Sequence, residues 1–219
     1  MTQAERLASL TTQIARAAKL AGRKASDVAL IAVSKTHDGD AIAPLIAAGH
    51  RSFGENRVQE AQGKWPALMA QTPGIDLHLV GQLQSNKAEE AVALFKVIHS
   101  VDRLSIVTAL AKAQDKLGKR PACFLQVNIG DEAQKGGCPV AEVPVLLAQA
   151  QAAGLDVTGL MAVPPAGLEP APYFALLAKM ARDLGLAGLS MGMSSDFETA
   201  IMIGATHIRV GSALFGARE

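Results

Sequence analysis

Eight short apolar runs, each separated from the next by a longer Ala- and Leu-rich stretch, set the limits on what this chain can fold into. The runs fall at 28–34, 51–54, 76–80, 97–100, 122–128, 155–162, 188–191 and 207–210. The stretches between them carry helical spacing at about 38–48, 56–70, 84–94, 103–117, 139–152, 170–184 and 195–203, after an amphipathic helix over about 2–21. The runs are apolar throughout instead of alternating, the pattern of parallel strands buried on both faces. Strand and helix in regular alternation predict an α/β fold, a single (β/α)8 TIM barrel with an extra N-terminal helix. A doubly wound open sheet fits the same periodicity and is the competing arrangement.

Composition narrows the function classes. The 219 residues are 49% hydrophobic and no Pro/Gly/Ser-rich linker interrupts them, so one domain spanning 1–219 is expected. Lys and Arg number 21 against 20 Asp and Glu, a balance that steers the chain toward neither nucleic acid nor an anionic membrane surface. The apolar stretches are short and broken by charges, and Met1–Lys24 is mixed in charge, so neither a membrane span nor a signal peptide is expected. Cys123 and Cys138 form no CxxC pair and read as reduced thiols of a cytoplasmic protein. The histidines show no metal-ligand spacing.

Candidate chemistry collects at the C-terminal lips of three strands, where barrels keep their active groups. Lys35 follows the first apolar run directly, within Ser34-Lys35-Thr36. Ser194-Ser195-Asp196-Phe197-Glu198 follows the seventh, with Ser195 and Glu198 spaced as a capping box that would open a helix and leave its first amides for an anion. Arg209, Gly211 and Ser212 follow from the eighth, and in strand geometry Arg209 and Gly211 share a face. In a barrel the eighth strand closes against the first, bringing Arg209, Gly211 and Ser212 beside Lys35 with the Ser194 segment on the other side. A lysine facing an anion pocket suggests a Schiff base with pyridoxal 5′-phosphate (PLP). A phosphosugar aldolase would use similar parts, and the chemistry alone leaves it open.

Longer motifs add a resemblance. Ala32-Val33-Ser34-Lys35-Thr36, Phe53-Gly54-Glu55-Asn56, His78 to Lys87, Ser190 to Asp196 and Arg209 to Arg218 together resemble the YggS/PROSC family, the PLP homeostasis proteins, from about residue 5 to the C-terminus. The resemblance implies a barrel like the N-terminal domain of alanine racemase, with PLP on Lys35. It implies further that Ser194, Ser195, Gly211 and Ser212 hold the phosphate, that Arg209 faces the pyridine nitrogen and that Asn56 lies near the ring. Gln82 stands where the family often has proline, and Ser212 where threonine is usual, a change that keeps the hydroxyl donor.

An arginine at the pyridine nitrogen cannot accept a proton or stabilise a protonated ring, which makes the cofactor a poorer electron sink. The chain has one tyrosine, Tyr173, at the start of a predicted helix, so the second base of a two-base racemase is not evident. The expectation is therefore a monomeric carrier that holds PLP and supplies it to apoenzymes, with a low-activity amino-acid racemase as the alternative. His78 reads as a hydrogen-bonded core histidine, Lys87 and the pair Asp102 and Arg103 as surface ion-pair partners, and Asn86-Lys87 as a weaker candidate for regulating cofactor release.

Overall fold

The computed structural model describes residues 1–216. In chain order it holds α1 (Gln3–Leu20), β1 (Ala29–Val33), α2 (Gly39–Ala47), β2 (Ser52–Glu55), α3 (Val58–Gln71), β3 (Asp76–Leu79), α4 (Ala88–Leu94), β4 (Val97–Val101), α5 (Leu104–Leu117) and β5 (Ala122–Asn128). There follow β6 (Cys138–Pro139), α6 (Val143–Ala152), β7 (Asp156–Ala162), α7 (Ala171–Asp183), β8 (Gly188–Ser190), α8 (Phe197–Ile203), β9 (His207–Val210) and α9 (Ser212–Phe215). Every strand pairing is parallel, in the order β4-β3-β2-β1-β9-β8-β7-β5, and a further β4–β5 pairing closes the ring. The closed eight-stranded barrel excludes the open doubly wound sheet. The two-residue β6 lies outside the ring, paired to the end of β5 at Val127 and Asn128.

The period-two geometry of the strands divides the side chains into two sets. Residues such as Ala32, Phe53, Leu77, Leu79, Ile98 and Leu125 face outward and join one large apolar core with the helices. The inward set is part apolar, with Val97, Phe124 and Met161 forming a separate small cluster, and part polar. Between the inward-facing positions run His78, His99, Ser190 and Arg209, all 6% exposed or less. The polar members of this mixed interior are hydrogen-bonded to one another, as buried polar groups must be.

Local chemistry explains several boundaries. Thr2 and Glu5 make a complete capping box, with Thr2 Oγ1 accepting from the Glu5 N–H at 3.2 Å and Glu5 Oε2 from the Thr2 N–H at 2.8 Å. The buried stripe Leu7, Leu10, Ile14, Ala17 and Ala18 then seats α1 against α8 and α9. The helix expected over 139–152 begins instead at Val143, with Pro144 in the first turn, where its missing N–H costs no helical bond, and a 3-10 turn (Val140–Glu142) precedes it. Likewise the segment expected as helix from 84 is a 3-10 turn at Ser85–Lys87 that leads into α4. Helix α9 is a single turn that the periodicity did not signal. Among the described residues no helix is long and apolar enough to cross a membrane.

Candidate functional site at the barrel rim

Register alone brings the remote segments together. Pairing of Ala29 with His207 through Ala32 with Val210 carries β1 and β9 upward side by side, so that Lys35 and Ser212 leave adjacent strands at the same rim. A cavity of about 340 Å³ lies there, lined by Lys35, Ser194, Ser195, Gly211 and Ser212 together with His37. Five of the seven residues expected at the site therefore converge. The remaining wall is backbone and apolar groups, and no carboxylate is among its described lining residues. A lysine, an imidazole and three hydroxyls make a donor set suited to an anion.

The detailed supports differ from the expectation in two places. Strand β9 ends at Val210, so Gly211 is the N-cap of α9 and not a strand neighbour of Arg209. A side chain at Gly211 would place Cβ 3.3 Å from the Val33 carbonyl, and the bare glycine lets the rim close over β1. The second correction concerns the capping box at Ser195 and Glu198. Helix α8 starts at Phe197 with Asp196 as its N-cap, and Asp196 Oδ1 accepts from the Met193 N–H at 2.6 Å. This bond to Asp196 turns the chain back on itself before the helix. Ser195 consequently keeps its hydroxyl at the cavity wall, and Ser194 Oγ accepts from the Ala213 N–H at 3.4 Å, joining the two serine segments.

Arg209 sits below the cavity, inside the barrel. Its Nη1 donates to Ser190 Oγ at 2.7 Å and its Nη2 to the Ala162 carbonyl at 2.9 Å. No described carboxylate forms an ion pair with it; burial lowers its pKa to about 10, with the charge of Asp196 acting the other way. The polar line continues, for His99 Nδ1 lies 2.9 Å from Ser190 Oγ, His99 Nε2 lies 2.9 Å from His78 Nδ1, and His78 Nε2 lies 3.1 Å from Ser52 Oγ. Each contact needs one protonated and one bare nitrogen or oxygen, so the chain is a set of neutral rings locked in complementary tautomers. Burial holds His78 down at about 3 and His99 well below its ordinary value, with neighbouring positive groups adding to both. His78 is thus the hydrogen-bonded core histidine its sequence context suggested.

Asn56 does not line the Lys35 cavity. It stands at the adjoining part of the rim, in a cavity of about 270 Å³ shared with Gln82, Gln126 and Lys135. Gly81 lets it sit there, because a Cβ on Gly81 would come within 2.3 Å of the Asn56 carbonyl oxygen. Lys87 pairs with Glu90 at 3.0 Å near the surface as expected, whereas Arg103 pairs at 2.6 Å with an Asp102 that is buried and not the surface group expected, its other oxygen accepting from the Gly137 N–H. Cys123 and Cys138 are free thiols, their pKa values pushed up by burial to about 12 and about 11. Ala217 and Arg218, which end the last motif, lie outside the described residues.

Sequence reading assigns no role to three contributors, although Ser190 opens one of the quoted motifs. Ser190 and His99 lie on β8 and β4, and only the barrel makes them neighbours of Arg209. Lys64 on α3 reaches back beneath the Lys35 turn, a tertiary contact with no sequence spacing to reveal it.

Comparison with known proteins defines the class. Residues 6–219 match the model of the alanine racemase N-terminal domain, and the chain belongs to that family. A pyridoxal phosphate homeostasis protein of Pseudomonas aeruginosa is 44% identical over 225 residues, covering 100% of this chain and 96% of the relative. One of Escherichia coli is 38% identical over 234 residues, covering 99% and 97%. The structure of PipY from Synechococcus elongatus with PLP bound superposes with a TM-score of 0.86 at 41% identity, covering 98% of this chain and 100% of that one.

Proposed function

We propose that this chain binds pyridoxal 5′-phosphate as a Schiff base on Lys35 and serves as a carrier in intracellular PLP homeostasis, without robust turnover of its own. The observation that carries the reading is the meeting of Lys35 with Ser194, Ser195, Gly211 and Ser212 around one cavity free of described carboxylates. The donor set fits the ligand, since three hydroxyls and the close backbone approach at Gly211 suit a phosphate and the lysine amine suits an aldehyde. PLP homeostasis proteins at 38–44% identity over nearly the whole chain and a PLP-bound structural relative support the same conclusion.

Bound PLP supplies an aldehyde for amines and a pyridine ring that withdraws electrons. Lys35 would hold the first, and Ser194, Ser195, Gly211 and Ser212 the phosphate. Arg209 is the candidate partner of the ring nitrogen, since a guanidinium has five N–H donors and two nitrogens of Arg209 spend only one bond each on Ser190 and Ala162. Having no acceptor, it would not stabilise a protonated ring, so a bound cofactor would be a weak electron sink. Asn56, at the neighbouring cavity, would border the ring side. Tyr173 packs on the outer core and lines neither the Lys35 cavity nor the Asn56 cavity, so it offers no second base. A cytoplasmic, monomeric protein that passes PLP to apoenzymes completes the reading, and the two buried free thiols suit a reducing compartment.

The test has two halves. Purified protein should show an absorbance band near ~420 nm that borohydride abolishes, with the pyridoxyl group on Lys35 by mass spectrometry. It should also reactivate a PLP-depleted enzyme while leaving a panel of L-amino acids unracemised at rates well below about 1 s⁻¹. Steady racemisation above that rate, lost in Lys35→Ala, would replace the carrier by an enzyme.

A further inference from the structure

One ammonium brackets the residue that presents the amine. Lys64 Nζ contacts the Ser34 carbonyl at 2.9 Å, the His37 carbonyl at 2.8 Å, Glu55 Oε1 at 2.9 Å and Glu60 Oε1 at 3.0 Å. Its side chain is only 12% exposed. Three protons are shared among four oxygens, an arrangement that fixes the ammonium in direction as well as place. The two carbonyls stand on either side of Lys35 in the chain, one residue before it and two after. Between them Thr36 adopts φ 67°, a left-handed conformation that a β-branched residue rarely takes. The Thr36 N–H donates to Glu60 Oε1 at 2.5 Å, the same oxygen that accepts from Lys64.

Glu55 ties the device to the barrel wall. Its Oε1 accepts from Ser34 Oγ at 2.6 Å and from Trp65 Nε1 at 2.9 Å, besides Lys64. Its Oε2 is buried with no hydrogen-bond partner among the described residues. Such a turn could be closed by its own backbone bond, His37 N–H to the Ser34 carbonyl at 3.1 Å. Instead β2 and α3 commit two carboxylates and a buried ammonium to it, which is more than loop closure requires.

We infer that Lys64, with Glu55 and Glu60, is a positioning residue for Lys35: it holds the 34–37 turn in its left-handed form so that the amine enters the serine-lined cavity. The inference rests on the reading that Lys35 carries PLP. A loosened turn would act chiefly on the amine, because Ser194, Ser195, Gly211 and Ser212 belong to α8, α9 and their approaches, and among the cavity residues His37, stacked on Phe215 at 4.4 Å, ties the turn to them. Displacement of a reacting group by about an ångström can cost roughly a hundredfold.

The experiment compares two ligands on the full chain. PLP reports covalent capture through the borohydride-trapped fraction at graded concentrations, and 4′-deoxypyridoxine 5′-phosphate, which has no aldehyde, reports the phosphate pocket alone by calorimetry. In Lys64→Met the apparent constant for covalent capture should weaken by about tenfold or more, while affinity for the deoxy analogue changes less than about twofold. Glu60→Ala, at a side chain more exposed than that of Lys64, should show the same split to a smaller degree, and it decides alone should Lys64→Met fail to fold. Parallel losses for both ligands, or no loss for either, would overturn the positioning role. A wild-type protein that binds the deoxy analogue yet traps no pyridoxyl group would overturn the Lys35 reading itself, and the inference with it.

Discussion

Arg209 and His99 meet on one hydroxyl: the guanidinium donates to Ser190 Oγ at 2.7 Å and the His99 ring nitrogen lies 2.9 Å from the same atom. A buried positive charge is here balanced by dipoles, with no carboxylate paired to it among the described residues. An aspartate in place of Ser190 would have formed an ion pair and would have drawn the guanidinium away from any ligand above it.

Removing the hydroxyl should therefore be expensive. Ser190→Ala leaves a charged donor and an imidazole nitrogen without their partner in the barrel interior, and we expect a loss of about 2–3 kcal/mol in urea unfolding. Ser190→Thr keeps the oxygen and should lose markedly less. Equal losses for the two variants would show that volume, and not the hydrogen bond, governs the position.

The histidines give the fold an acid limit. Burial lowers His78 to about 3 and His207 to about 4, the latter aided by Arg209, whereas both return to about 6.5 on unfolding. Between those values the unfolded chain binds more protons than the folded one, so stability is complete above pH 6.5 and falls as the pH drops toward 4. At pH 5 the loss should be of the order of 2–4 kcal/mol, the lower figure applying if the two sites share one effect. Denaturation midpoints at pH 7.5 and pH 5 check this. His78→Gln should flatten the profile.

Removal of the rim hydroxyls should act on the phosphate and on little else. Ser194→Ala combined with Ser212→Ala is expected to weaken PLP binding by about 2–4 kcal/mol, from roughly 1–2 per bond to a charged acceptor. Pyridoxal, which lacks the phosphate, should bind almost as before. Equal weakening of both ligands in titration would place the phosphate elsewhere.

Gly192 joins the serine segment to the barrel and has no room for a side chain. It holds φ +95°, an added Cβ would approach Ala200 Cβ to 2.6 Å, and its carbonyl accepts from the Arg209 N–H at 2.9 Å. Gly192→Ala should destabilise the protein by about 2–4 kcal/mol through combined strain and crowding, read from the thermal midpoint. Gly63→Ala offers a control, since a Cβ there meets no atom within 4 Å.

Much of the architecture was legible because it repeats. The fifth apolar run, 122–128, coincides with β5, and the lip residues Lys35, Ser194 and Ser212 share a cavity because parallel strands deliver their C-terminal ends to one side. What stayed hidden depends on contacts that no local period records. The single turn of α9 is too short to show a helical face, and Asp196, not Ser195, stands at the N-cap of α8, its carboxylate turned back to the Met193 N–H in a contact that the Ser-Glu spacing does not reveal. The line from Arg209 to His78 joins β9, β8, β4 and β3 across the barrel, so its members look like unrelated core residues until the ring closes.

Closure of β9 onto β1 also gives the site a history within each synthesis of the chain. The lysine turn and its Lys64 brace leave the ribosome early, whereas Ser212 arrives after roughly ten to thirty seconds of further elongation at about 5–20 residues per second. Until β9 takes its place, a nascent chain lacks Gly211 and Ser212, half of the groups assigned to the phosphate. Preference for a phosphorylated ligand thus appears only when the last strand is in position, and the proposed loading of the cofactor becomes a report that translation has run to the end of the barrel.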